Sequence, residues 1–123
     1  MSILITLAGC DEYWLDTYWH DGSYRLIAID TRGQMALVVD GSMEAILGPT
    51  IFSIGADERH LVIKQHPSKD AFGGFDRSIT RFYVVDRKGQ RPTIQGPFSE
   101  EEFKKLSLSE PLPPFAKTFK DLE

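Results

Sequence analysis

Short runs of β-favouring residues follow one another along most of this chain, and most are closed by an aspartate, a glycine or both. That punctuation limits the fold more than any other feature. Residues 24–29 (YRLIAI) end in Asp30-Thr31-Arg32-Gly33, and residues 34–39 (QMALVV) end in Asp40-Gly41-Ser42. Residues 45–47, 50–54, 60–65 and 79–85 read as further strands, with Gly55-Ala56-Asp57-Glu58-Arg59 as a loop between two of them. Upstream, residues 13–19 are rich in aromatics and stop at His20-Asp21-Gly22-Ser23, a turn signal. Aspartate can hydrogen-bond its own backbone and glycine accepts positive φ, so such clusters reverse the chain. Evenly spaced short strands with turn chemistry between them predict antiparallel pairing. Ile29-Asp30-Thr31-Arg32-Gly33-Gln34 and Val85-Asp86-Arg87-Lys88-Gly89-Gln90 share a strand end, an aspartate, a basic residue, Gly and Gln. They are read as one turn used twice, being far too short for a repeat architecture.

The period changes near the C-terminus. Ser99-Glu100-Glu101-Glu102 is a capping box, with acids in the first turn and Lys104 and Lys105 after them, which complements a helix dipole. Phe103 and Leu106 lie three apart on one helical face, and Pro111, Pro113 and Pro114 prevent continuation. The tail through Phe115 and Phe119 carries enough apolar surface for part of it to dock. The predicted fold is therefore mainly β (α+β): an antiparallel sheet of five to seven strands, curved or sandwiched, with one short C-terminal helix at about 99–107. A length of 123 residues, 41% of them hydrophobic, suits a single domain.

Leu7-Ala8-Gly9-Cys10 matches the bacterial lipobox: an apolar residue, two small residues and a cysteine whose thiol can accept diacylglycerol. Two or three acyl chains would hold the domain at a membrane surface. No Lys or Arg precedes the apolar run, although a secretory signal normally opens with one. Two readings of residues 1–10 follow, a lipoprotein signal ending at the lipidation candidate Cys10, or a first buried strand in which Cys10 is a small hydrophobe. Residues 11–123 would form the β-rich domain in either case. As the sole cysteine, Cys10 excludes an internal disulfide and a cysteine-built zinc site. A formal charge of −4, from 18 acids against 14 bases, provides no basic stripe for nucleic acid.

Phe82-Tyr83-Val84-Val85-Asp86-Arg87-Lys88, followed by Gly96-Pro97-Phe98-Ser99-Glu100-Glu101-Glu102-Phe103, resembles a pattern found in a family of short bacterial lipoproteins of unknown function. Lipobox, strand, Gly-Pro and capped acidic helix, and a short polar tail carry the resemblance, which covers the N-terminus and residues 79–106. It implies an envelope protein with no assigned catalytic residues.

Chemistry is sparse. His60 and His66, six apart, fall on one strand face but roughly 20 Å from each other, beyond shared metal ligation, and read as strand-end histidines, exposed or hydrogen-bonded. No nucleophile elbow or phosphate-binding glycine loop occurs. The expectation is a protein without catalytic activity, metal or cofactor. Partner binding then falls to exposed aromatics. Phe72 and Phe75 flank Gly73-Gly74 in the long polar stretch 67–78, and Trp14 and Trp19 lie in the aromatic segment. Phe72 and Phe75 could instead both fold back onto the sheet, and core packing is the default for tryptophan. The leading functional expectation is a non-catalytic, protein-binding envelope lipoprotein on the periplasmic side of the membrane, of the kind that serves as an immunity protein against a secreted antibacterial effector. The alternative is a cytoplasmic accessory or regulatory β-domain whose first strand mimics a lipobox.

Overall fold

In a computed structural model of the chain, residues 16–42, 44–89 and 91–123 are described. The predicted turns lead into two antiparallel sheets. β1 (Asp16–Asp21) and β2 (Tyr24–Ala28) are joined by Gly22-Ser23, with Gly22 at φ 59°, the loop position that a two-residue hairpin reserves for glycine. β3 (Ala36–Val39) and β4 (Ala45–Leu47) complete a sheet of order β1-β2-β3-β4. The second sheet contains β5 (Ile51–Ala56), β6 (His60–Gln65), β7 (Arg81–Asp86), β8 (Thr93–Phe98) and β9 (Lys117–Thr118), in the order β8-β7-β6-β5-β9. Among the described residues the architecture is thus mainly β with one short α-helix, α1 (Glu100–Ser109), near the C-terminus. The described residues include nine strands, two of them not visible in the sequence pattern: β8, and the two-residue β9.

Alternation builds the core. Tyr24, Leu26 and Ala28 of β2, Leu37 of β3, Leu61 and Ile63 of β6, and Tyr83 and Val85 of β7 enter one cluster shared by both sheets. Each fully buried Leu, Ile or Val contributes about 2 kcal/mol of transfer free energy. The second sheet is also buried on its other face, where Val62 and Val84 are as inaccessible as their core neighbours. There Phe82 stacks on Phe103 of α1 (centroids 4.9 Å apart) and meets Phe115 of the tail at 6.2 Å. Burial on both faces explains the unbroken runs Leu61-Val62-Ile63 and Phe82-Tyr83-Val84-Val85, where a one-faced strand would alternate.

The capping box forms as expected: Ser99 Oγ accepts from the Glu102 N–H at 3.2 Å, and Glu102 Oε1 accepts from the Ser99 N–H at 2.8 Å. The tail docks. Ala116 N–H donates to the Ile54 carbonyl and Phe119 N–H to the Phe52 carbonyl, while Phe119 and Leu122 enter the core. Gly96-Pro97, expected to lead directly into the helix, lies inside β8 instead. β8 is an edge strand with a bulge, where a residue lacking an N–H is tolerated.

The two copies of the Asp-basic-Gly-Gln turn differ. In the second, Gly89 adopts positive φ (87°), but in the first it is Asp30 that does so (φ 69°). Gly33 sits in a buried 3-10 turn (Arg32–Gln34), because the backbone of another loop passes against it. The shared letters therefore encode two different backbones.

Candidate functional site

The stretch 67–78 is a small hydrogen-bonded hairpin. Ser68 and Phe75 form a β-bridge, Lys69 N–H donates to the Gly74 carbonyl at 3.0 Å, and Asp76 N–H donates to the Pro67 carbonyl at 2.9 Å. Within it, Asp70 Oδ1 accepts from the N–H groups of Phe72 (2.8 Å) and Gly74 (3.0 Å), the Asx arrangement that fixes a turn. At its base, Asp76 Oδ1 accepts from Ser78 Oγ and N–H. The Gly73 backbone rests against Gly33 and Thr31 in the connection between β2 and β3.

This frame separates the two phenylalanines that the sequence had grouped. Phe72 stands at the tip, 87% exposed. Phe75 is half-buried, stacked nearly parallel to the His66 ring at 5.9 Å, with the Arg77 guanidinium 4.9 Å from its centroid. Trp19 is half-buried against the core. A bulge in β1 makes Tyr18 the extra residue between the Thr17–Ile27 and Trp19–Leu26 pairs, so Tyr18 and Trp19 both pack there despite being adjacent. Trp14, Cys10 and the whole lipobox segment lie outside the described residues.

His60 and His66 occupy opposite ends of β6, and neither is exposed: their relative accessibilities are 3% and 2%. Each borders its own cleft. At one end, His60 Nε2 lies 3.0 Å from Glu110 Oε1 in a cleft of about 400 Å³ that also involves Asp57 and Ser109. This pair ties the end of α1 to the start of β6. Burial raises the Asp57 pKa, but hydrogen bonds from the His60 and Arg59 N–H groups and nearby positive charge outweigh it and hold the carboxyl below its ordinary value. At the other end, a cleft of about 430 Å³ is bordered by Lys64, His66, Arg77, Ser78 and Thr80, with Phe52 and Phe82 as apolar walls. Among the described residues, no three His, Cys, Asp or Glu side chains are grouped to hold a metal ion. Sequence reasoning missed the clefts, although a polar residue bracketing each end of an apolar strand was the available signal.

Two arginines hold the C-terminal tail beside this second cleft. Arg32 grips Asp121 bidentately (2.6 and 2.8 Å), and Arg77 donates to the main-chain oxygens of Asp121 and Glu123. The Arg32 hydrogen bond holds the Asp121 carboxyl below its ordinary value. Asp70 is lowered by the Gly74 and Phe72 N–H groups, and Asp76 by Ser78. A depressed carboxylate stabilises the fold above its unfolded pKa, about 4, and that stabilisation is lost as pH falls through the folded value. Thermal melts of the protein and of Asp121→Asn should therefore differ most near neutral pH and converge in acid. A gap that stays constant from about pH 7 to pH 2 would exclude this linkage.

Comparison of the chain with protein-family models, with curated proteins and with solved structures gave no match.

Proposed function

We propose that this protein is a non-catalytic protein-binding domain that presents Phe72 as an anchor, and that it works at the bacterial envelope as a lipoprotein held through Cys10. Phe72 carries this reading. A large aromatic at 87% exposure, on a turn fixed by Asp70 and seated against the connection between β2 and β3, is pre-ordered for insertion into an apolar pocket on another protein. Ordering before contact lowers the entropic cost of binding, which separates such a residue from an exposed hydrophobe on a loose loop. Leu108, equally exposed at 88%, projects singly from α1 and needs no such explanation.

Small size, acidic charge and the lipobox together support neutralisation of a secreted antibacterial effector as the setting. A photo-crosslinking residue at position 72, in protein expressed in its native host, should give a defined one-to-one adduct with a single protein, and the same residue at position 108 should not. Equal adducts at both positions, or none at 72, would remove the loop tip from consideration. The intact mass of the membrane-derived protein tests the address. A chain beginning at Cys10 with diacylglycerol supports it, and an unmodified chain carrying Met1 from the soluble fraction sinks it.

A further inference from the structure

The cleft at the end of β6 differs from the loop tip in its chemistry, and His66 shows what it lacks. Its Nδ1 lies 2.8 Å from the Ile79 carbonyl oxygen, which can only accept, so in the neutral ring Nδ1 carries the hydrogen and Nε2 presents a lone pair. Phe52 and Phe75 both lie nearly parallel to the ring, with centroids 4.0 and 5.9 Å away, and this packing fixes its plane. Nε2 is buried and meets no donor among the described residues. A buried acceptor held in one direction without a partner calls for a hydrogen-bond donor.

The charges in the cleft indicate what else that donor carries. Lys64 lies over the Phe115 and Phe82 rings, 4.6 and 5.7 Å from their centroids, and no side-chain carboxylate pairs with it among the described residues. Arg77 spends its terminal nitrogens on main-chain oxygens, so no side-chain carboxylate holds it by a hydrogen bond among the described residues, although its charge also acts on Asp121. Glu100, on the cleft rim, lies toward Lys104 instead (3.9 Å). Thr80 adds a hydroxyl and Ser78 a second one, already bonded to Asp76, while Glu123 on the cleft lining and the Asp76 carboxylate near His66 oppose an anion there.

We infer that this cleft binds a small phosphoryl group, an oxyanion whose acidic OH donates to His66 Nε2 while its other oxygens accept from Lys64, Arg77 and Thr80. A volume of about 430 Å³ has room for a phosphomonoester, whose organic part would lie against Phe52 and Phe82. The site is independent of Phe72 and of the protein-binding reading.

The test is an NMR titration of the imidazole signals of the intact protein with inorganic phosphate, and separately with phenyl phosphate, at fixed pH and at ionic strength held with chloride. The His66 signals should shift saturably while those of His60, at the far end of β6, stay still. Lys64→Gln, at a half-exposed position, should weaken binding about tenfold, the loss of one charge-assisted hydrogen bond, and Glu123→Gln should tighten it. Tighter binding of phenyl phosphate would identify a phosphomonoester, and equal binding would identify free phosphate. Absence of a saturable His66 shift, or an equal shift in Lys64→Gln, would overturn the site and leave Nε2 to a bound water.

Discussion

Gly55→Val is expected to lower the unfolding free energy by about 3 kcal/mol, at the upper end for overpacking, and to reduce the urea slope as well. Gly55 lies in β5, and a Cβ there would overlap the Pro114 carbonyl oxygen and crowd the Phe115 Cα. Both obstacles are backbone, so no rotamer change relieves them. The tail must move instead, and its hydrogen bonds to Ile54 and Phe52 would break with it. Phe119 and Leu122 would then leave the core before global unfolding, which is why less surface remains to be exposed and the slope falls. Gly48→Ala is the control. Open space surrounds that Cβ position and its φ is ordinary, so its unfolding free energy should stay within about 0.5 kcal/mol of the parent. If Gly55→Val behaved like Gly48→Ala, the tail could not lie across β5.

The tail also shows why part of the fold was legible in the sequence and part was not. α1 was readable because its signal is local: Ser99 and Glu102 satisfy each other's backbone within four residues. β2, β3, β6 and β7 were readable because burial filters their residue types directly. β9 has no such signal. Lys117-Thr118 becomes a strand only because Ser53 and Ile54 offer an edge some 60 residues upstream, and the Ser53–Thr118 hydroxyl contact at 2.8 Å leaves no periodicity to find. β8 was hidden for a related reason. TIQGPF is largely exposed and lies on a sheet edge, so neither burial nor β-propensity marks it.

For the candidate sites, residue type was informative and direction was not. Phe72 and Phe75 are three positions apart around two glycines, and nothing local says which ring turns inward. The choice follows from His66, a residue outside the loop whose buried ring offers one flat face to Phe75. His66 is buried there because its backbone pairs with Thr50 in both directions, a contact that no spacing rule supplies. Gly33 carried the strongest misdirection. Its place after Asp-Thr-Arg resembles a turn glycine, but the structure uses it for the absence of a side chain where two loops meet.

That meeting point sets the second large effect. Gly33→Val should lose about 3 kcal/mol, because a side chain at 33 overlaps the Gly73 carbonyl oxygen and the surrounding groups have little room to give. On one side, Gly33 is held by the Thr50 hydroxyl, which donates to its carbonyl, and by the Ile51 N–H bond to Met35 just beyond. On the other, Gly73 has φ 89° and abuts the Thr31 hydroxyl. The hairpin at 67–78 is the less buried partner, so it should be the one that lifts. Its amides then provide a readout that global stability lacks: the Phe72 and Gly74 N–H groups, bonded to Asp70, should exchange faster relative to those of β6 and β7. Crosslinking from position 72 should weaken in parallel, since an anchor on a loosened loop regains the entropy it had already given up. Protection of Phe72 and Gly74 that fell only in step with the core would show that the loop orders itself. Gly33 would then stabilise the first sheet without positioning the aromatic tip.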